Sequence, residues 1–173
     1  MLLISKPTSV HLRLFTLCKM NKLFFGVLVS ILVVYASVDC RVVGSPYQLI
    51  GSKYYYIERS EEVTWFGALH KCQAIGGHLL SIKNQTEFDA IKSKLEVEKD
   101  YWIDINDLTK EGEFLSVVTG RNATYFNWHE DEPNNGGDDE NCGELWYAND
   151  EHLMNDDYCL EKEFFICEPK DQI

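Results

Sequence analysis

Residues 130–159 read EDEPNNGGDDENCGELWYANDEHLMNDDYC, and the assignment of the fold depends on this stretch. It holds 11 of the 28 Asp and Glu residues of the chain and no Lys or Arg. A run of this kind is compatible with a solvated surface, where water and salt screen the repulsion. Here, however, carboxylates are interspersed with Asn side chains, and both are oxygen ligands that Ca²⁺ takes. A neighbouring cation would compete with such an ion, so the composition favours a calcium-binding loop.

The composition of the whole chain narrows the classes of protein that fit. The 173 residues carry a net charge of −12, which becomes −15 once residues 1–39 are set aside. This length favours one domain, and a hydrophobic fraction of 45% is too high for a disordered chain. The sequence pI of about 4.8 argues against a nucleic-acid partner, which normally requires a basic face.

The N-terminal region has the layout of a secretory signal peptide. A mostly apolar run at residues 23–35 follows Lys19 and Lys22, and the small residues Ala36 and Ser37 come next. We expect residues 1–39 to be the leader region, cleaved near 36–39, with Met20 as an alternative start. The run is shorter than the roughly 20 apolar residues of a spanning helix. A membrane anchor is therefore the weaker interpretation, and the expected location is extracellular without stable membrane insertion.

Cysteines and glycosylation sequons agree with secretion. Cys18 would be lost with the leader, and no C-x-x-C or zinc-type spacing occurs. Disulfides are the better interpretation in an oxidising compartment. Cys40 is left over, so it either bridges two chains in a homodimer or stays a free thiol. Asn84 and Asn122 each begin an N-x-[ST] sequon. Four cysteines fall in the folded region and can pair in three ways: Cys72, Cys142, Cys159 and Cys167.

Hydrophobic periodicity predicts an α+β domain with two helices. Thr64 caps a first helix, which ends at Gly76-Gly77, and Asn84-x-x-Glu87 starts a second helix like a capping box and continues to Leu95. Residues 78–82 form a short buried connector. The loop at 130–141 is long and structureless, and such loops are usually functional or disordered. Strands are predicted at 53–58, 101–105, 113–115, 124–126, 143–147 and 164–167. Because the helices precede most strands, we expect them to be segregated from a mainly antiparallel sheet.

Several motifs, taken in order, resemble the carbohydrate-recognition domain of C-type lectins. The acidic region supplies Glu132-Pro-Asn, Glu140-Asn-Cys, Asn155-Asp156 and Cys159. Upstream, residues 65–72 (WFGALHKC) and 101–105 (YWIDI) resemble the first helix and the central strand of that family. The likeness covers about residues 47–169, between a short segment at 40–46 and a tail at 170–173.

This resemblance implies a fold, a pair of disulfides and a ligand set. The fold would be a double-looped α+β domain with Cys72–Cys167 and Cys142–Cys159 bridges. Lys53 stands where longer members carry a further cysteine, so this is the short form and Cys40 lacks its usual partner. The principal Ca²⁺, and the sugar that joins its coordination shell through two vicinal hydroxyls, would be held by five residues. These are Glu132, Asn134, Glu140, Asn155 and Asp156.

Two departures from the family bear on the loop. An auxiliary Ca²⁺ site would map to Asp107, Glu111, Asn135, Glu140 and Asn141. Because Asn stands at 135 and 141, where calcium-rich members have Asp, we expect this site to be weak or empty. Met154 replaces a Trp that many relatives carry before Asn155, so the packing of the loop is expected to differ.

The resulting functional prediction is a secreted, calcium-dependent lectin that is not an enzyme. The order Glu-Pro-Asn resembles mannose-type members, which implies recognition of mannose, fucose or N-acetylglucosamine on glycoproteins or cell surfaces. One alternative is a domain of the same fold that binds a protein or lipid partner without metal. A second alternative is a hydrolase with paired carboxylates, for which the clustered acids are the only support.

Overall fold

The computed structural model describes residues 15–20, 38–43 and 45–170. The chain divides into two compact units, Met1–Ser45 and Pro46–Ile173. In the first unit, β1 (Phe15–Met20) pairs antiparallel with β2 (Val38–Val43), and Cys18 and Cys40 are partners in that register. The apolar run at 23–35 and the tail residues 171–173 lie outside the described residues. Among those described, no helix is both long and apolar enough to cross a membrane.

The second unit confirms the α+β class, with two helices and a mainly antiparallel sheet. The elements of this unit are β3 (Gln48–Ile50), β4 (Lys53–Ile57), α1 (Trp65–Ala74), β5 (Gly77–Leu79), α2 (Gln85–Lys92), β6 (Tyr101–Asn106), β7 (Leu115–Ser116), β8 (Arg121–Asn122), β9 (Cys142–Ala148), β10 (Glu151–Asp157) and β11 (Phe164–Pro169). The strand order is β10-β9-β6-β11-β4-β3, and only the β6–β11 pair is parallel. Strand β5 also pairs with β11, while β7 and β8 extend from β6.

Both helices begin at the predicted caps. The Thr64 hydroxyl accepts the backbone N–H of Gly67 at 3.2 Å, and Asn84 Oδ1 accepts that of Glu87 at 3.0 Å. The capping box is incomplete, because the Glu87 carboxylate accepts the backbone N–H of Lys83 at 2.9 Å rather than that of the cap. Each cap satisfies an N–H that the helix leaves without a partner.

Several predicted boundaries were wrong. The connector at 78–82 begins with strand β5, and Leu95 lies beyond the end of α2, although it still packs on the core. The strand predicted at 113–115 is Leu115–Ser116, and residues 124–126 form no strand. In that segment aromatic rings pack on one another, and no strand forms. The ring of Phe126 stacks on the ring of Trp128, with 5.5 Å between their centroids.

Strand β10, which carries Asn155 and Asp156, was not predicted. It forms a hairpin with β9 through Asn149 and Asp150, whose φ angles are 53° and 64°. Two consecutive residues with positive φ are the geometry of a type I′ turn, whose twist matches that of paired strands. The turn pairs Ala148 with Glu151, and this register places Asn155 opposite Glu144.

Two disulfides fix the frame around the acidic loop. Cys72–Cys167 joins α1 to β11, and Cys142–Cys159 joins the start of β9 to the segment after β10. These are the same pairs that the family resemblance implies. Strands β6 and β9 approach closely at Gly143, where a Cβ would lie 2.2 Å from the Ile105 Cγ1 atom. The acidic loop is therefore attached to a tightly packed part of the sheet.

Candidate functional site

The acidic loop has a defined backbone although it contains little regular structure. It includes one 3-10 turn at Gly136–Asp138 and a cis peptide bond between Glu132 and Pro133. Asp131, Asn135 and Asp138 have positive φ values of 67°, 47° and 61°. Asn and Asp tolerate this left-handed region better than other non-glycine residues, so the residues that offer oxygen ligands also suit the path of the loop.

Asp156 anchors the loop to β10. Its side chain is fully buried, at 0% exposure, and its two oxygens accept the backbone N–H groups of Asn134 and Asn135, each at 3.0 Å. Hydrogen bonds from backbone N–H groups to a carboxylate are stronger than those between neutral groups. Asp156 therefore holds the Glu-Pro-Asn segment beside the strand that carries Asn155.

Glu132 and Asn134 face each other across Pro133. The Asn134 Nδ2 group donates to Glu132 Oε1 at 2.8 Å, whereas Glu132 Oε2 is buried and has no hydrogen-bond partner. Burial raises the pKa of Glu132, and the nearby carboxylates of Asp156 and Glu140 raise this pKa further. A cation would favour the charged form of these three carboxylates.

Asn155 is oriented by a residue that sequence reasoning did not place in the ligand set. Its Nδ2 group donates to Glu144 Oε1 at 3.0 Å, and its Oδ1 atom is buried without a partner. Because the amide nitrogen is held by Glu144, the opposite oxygen is left available as an acceptor. Partners of this kind commonly fix the orientation of metal ligands.

Glu140 is held at the far end of the loop. Its Oε2 atom accepts the backbone N–H of Gly136 at 2.6 Å, and its own N–H donates to Asn135 Oδ1 at 3.1 Å. A Cβ on Gly136 would lie 2.9 Å from both carboxylate oxygens of Glu140. Glycine at position 136 therefore makes room for this carboxylate.

Four of the five residues predicted for the principal site are linked by hydrogen bonds, whereas the Asn155 side chain bonds to Glu144. Glu132, Asn134 and Asp156 are linked through hydrogen bonds, while Glu140 is connected to them through Asn135. The acidic members do not bring one oxygen each within 4.8 Å of the others. Within residues 45–170, one group of His, Cys, Asp and Glu side chains does so: Asp100, Glu144 and Glu163.

The predicted auxiliary residues form two hydrogen-bonded groups, one around Asp107 and one around Asn135. Asp107 is 1% exposed, and its Oδ2 accepts the backbone N–H of Gly112 at 2.8 Å while its Oδ1 has no partner. Glu111 accepts the Asn135 Nδ2 group at 2.6 Å, and the carbonyl of Asn141 accepts the Asp107 N–H at 3.1 Å. Burial raises the pKa of Asp107, and the charge of Asp156 raises it further.

The donor chemistry fits a calcium ion. Glu132 Oε2 and Asn155 Oδ1 come from separate segments, and both are buried oxygens without partners among the described residues. Buried polar atoms are normally satisfied, so each exception calls for a ligand, an ion or a water. Carboxylate and amide oxygens are ligands that Ca²⁺ accepts. Both oxygens belong to the five-residue ligand set predicted from the sequence.

The remaining predicted sites are two glycosylation sequons and one unpaired cysteine. Asn84 and Asn122 are exposed, although Asn84 Oδ1 is engaged as the cap of α2. Cys40 lies in β2, and no side chains of that strand are described. Glycosylation at either asparagine and a bridge at Cys40 stay predictions.

The site residues that sequence reasoning missed come from register and long-range pairing. Glu144 was not among the predicted ligands, yet it contacts Asn155 directly. The Asn149-Asp150 turn signal could have revealed this contact, because a two-residue turn sets every pair in the hairpin. Asp100 and Glu163 gave no local signal, since their proximity depends on the parallel β6–β11 pair.

Comparison with known proteins finds a matching family model and similar proteins. A family model described as the Lectin C-type domain matches residues 61–169. C-type lectin 37Db of Drosophila melanogaster is 36% identical over 126 residues, which are 72% of this chain and 83% of that protein. Accessory gland protein Acp29AB of Drosophila simulans is 34% identical over 125 residues, 72% of this chain but 50% of that protein.

A solved structure supports the same assignment. The C-type lectin domain of murine dendritic cell inhibitory receptor 2, solved in complex with an N-glycan, matches with a TM-score of 0.64. It is 26% identical, and the match covers 72% of this chain and 96% of that domain.

Proposed function

Because this chain belongs to the C-type lectin domain family, we propose that it is a secreted lectin that binds glycans through calcium. The ion would be held by Glu132, Asn134, Glu140, Asn155 and Asp156. The observation that carries this proposal is the pair of buried, unpartnered oxygens, Glu132 Oε2 in the loop and Asn155 Oδ1 in β10. Secretion is supported by the leader-like run at residues 23–35.

The bound ion would supply direct coordination of two vicinal sugar hydroxyls. The protein would supply hydrogen bonds around them, because Asn amides donate and Glu carboxylates accept. The Asn134 Nδ2 group has two hydrogens and uses one toward Glu132, so the second is free for a hydroxyl. The same holds for Asn155, whose Nδ2 group donates to Glu144. These groups bind and orient a sugar, and we infer binding rather than catalysis.

The sugar class follows from the order of the two side chains around Pro133. Glu132 before Asn134 is the mannose-type order, so we infer a preference for mannose, fucose or N-acetylglucosamine. Exposed parts of the loop (Asp131, Asn134 and Gly136–Asp139) make an open surface and not an enclosed cavity. Binding to one sugar is therefore expected to be weak. A Cys40–Cys40 bridge would provide two sites and strengthen binding to multivalent glycans.

Affinity chromatography tests this function. The full chain, expressed in secretory cells, should be retained on immobilised mannose or fucose in calcium and should elute with EDTA. Galactose beads serve as the matched matrix and should retain less protein. Retention that survives EDTA would contradict the role of the ion, and failure to bind any glycan matrix would contradict the lectin proposal.

A second candidate function is binding of a protein or lipid partner without metal. The observation in its favour is an apolar groove of about 240 Å³ beside the loop. Its large apolar side chains, Phe66, Leu108, Tyr158 and Leu160, are between 38% and 53% exposed. Exposed apolar patches often mark interaction surfaces. Partner capture that is unaffected by EDTA, together with no binding to glycans, would favour this function.

A further inference from the structure

Three carboxylates meet beside the proposed lectin site, and one of them, Glu144, also accepts the hydrogen bond that orients Asn155. Asp100 precedes β6, Glu144 lies in β9, and Glu163 precedes β11. One oxygen from each lies within 4.8 Å of the others. None of the three belongs to the calcium ligand sets named above.

The topology of the sheet creates this cluster. Strands β6 and β11 run parallel from the pair Tyr101–Phe164, and the Phe164 N–H donates to the Asp100 carbonyl at 3.1 Å. The residues just before the two strands are therefore neighbours. Glu144 joins them from β9, where it pairs with Trp102 of β6. Three elements that are distant in sequence each contribute one acid.

Glu144 supplies an independent sign that a ligand belongs here. Its side chain is 2% exposed, and its Oε1 atom accepts from Asn155. Its Oε2 atom is buried and has no hydrogen-bond partner. An ionised carboxylate that is buried requires a counter-charge or a metal, and an unpartnered oxygen in an acidic cluster provides a ligand position.

The surroundings offer little compensation for the negative charge. Among the described residues, no Lys or Arg forms an ion pair with any of the three. Asp100 accepts one backbone N–H, from Tyr147 at 2.6 Å. Burial raises the pKa of Glu163 to about 7, and nearby Asp100 is the next cause. Burial likewise raises the pKa of Asp100 and of Glu144. The cluster would thus be stabilised by a cation.

The geometry points to a further divalent cation site formed by Asp100, Glu144 and Glu163, with Ca²⁺ as the bound ion. Calcium lies about 2.3–2.6 Å from its oxygen ligands, so oxygens on one ion are separated by about 5 Å or less. Asp100 and Glu163 are partly exposed, so water can complete the coordination shell. With three protein ligands the site is expected to be weak, in the range of about 10⁻⁴ to 10⁻³ M seen for extracellular modules.

Equilibrium dialysis of the full chain against about 5 mM Ca²⁺, well above that range, tests this site by counting bound ions. Glu163→Gln should reduce the number bound by about one per chain. Glu161→Gln is the matched control, because Glu161 is an exposed acid two residues away and outside the cluster. Equal calcium binding by the wild type and Glu163→Gln would overturn the inference, since the acids would then share protons instead of an ion.

Two further measurements separate this site from the proposed lectin site. In an Asp156→Asn background, which removes a ligand of the loop site, Glu163→Gln should still reduce the count by about one ion. Loss of the ion in the Asp156→Asn protein alone, with no further effect of Glu163→Gln, would contradict an independent site. Crystals soaked in Mn²⁺ should show anomalous density between the three carboxylates, and an empty cluster beside an occupied loop would refute the inference without relying on a variant.

Discussion

Replacing Asp156 with Asn should reduce both the stability of the protein in EDTA and the further stabilisation by calcium, and the two effects can be measured separately. The carboxylate accepts two backbone N–H groups, those of Asn134 and Asn135. Asn keeps one acceptor oxygen but turns an NH₂ group toward the other N–H. Losing one charge-assisted bond costs about 1.5–3 kcal/mol. Part of this cost is offset, because the charge of Asp156 raises the pKa of Glu132 and of Asp107. We therefore expect a net loss of about 1–2 kcal/mol in the free energy of unfolding in EDTA.

Calcium should widen this difference. An ion that binds only the folded state stabilises it by RT ln(1 + [Ca²⁺]/Kd). For a Kd of about 10⁻⁴–10⁻³ M, about 10 mM Ca²⁺ stabilises the wild type by about 1.4–2.7 kcal/mol. The calcium-dependent gain of Asp156→Asn should be smaller by that amount. The total difference between the two proteins then grows to about 2.4–4.7 kcal/mol.

Urea unfolding followed by tryptophan fluorescence, in EDTA and in calcium, measures both parts. Asp157→Asn is the matched control. Asp157 follows Asp156 on the opposite face of β10, and its carboxylate accepts the N–H of Tyr158. This control should keep the wild-type calcium gain. If calcium raises the free energy of unfolding of Asp156→Asn as much as that of the wild type, Asp156 is not a calcium ligand.

Three more changes test other parts of the structure. Exchanging Glu132→Gln together with Asn134→Asp should shift binding from mannose toward galactose in a bead-retention assay, and an unchanged profile would contradict the coordination argument. Burial raises the pKa of Asp104 from 3.8 to about 6. The contribution of Asp104 to the free energy of unfolding is therefore complete below about pH 4 and falls by about 3 kcal/mol as the pH rises to 6. In urea unfolding, Asp104→Asn should reduce the change in the free energy of unfolding between about pH 4 and pH 6. An unaltered pH dependence would show that this acid is not the cause. Gly136→Ala places a Cβ 2.9 Å from both carboxylate oxygens of Glu140 and should weaken calcium binding in calorimetry about tenfold. An affinity equal to that of the wild type would argue against the steric cause.

The parts of the fold that depend on local chemistry could be predicted from the sequence. Thr64 and Asn84 cap their helices because their side-chain oxygens accept N–H groups that the helix leaves free. Strand β10 escaped prediction because Asp156, a charged residue, occupies a fully buried position in it. Asp156 breaks the alternation of apolar and polar residues expected of a strand, and it is also the residue that accepts the N–H groups of the loop.

The candidate site, like the fold, could be predicted from the sequence only in part. The acidic, cation-free stretch pointed to the loop, and the family resemblance supplied the ligand set. The contact between Glu144 and Asn155 depends on the register of a hairpin. The cluster that includes Asp100 and Glu163 depends on a parallel pairing of distant strands. Composition and spacing along the chain carry neither kind of information, because both follow from tertiary structure.

A glycan array probed with the full chain in calcium and again in EDTA measures calcium-dependent glycan binding. We expect binding to glycans that end in mannose, fucose or N-acetylglucosamine, and loss of that binding in EDTA. Binding that is unchanged in EDTA, or an array with no calcium-dependent signal on any glycan, would contradict the lectin proposal.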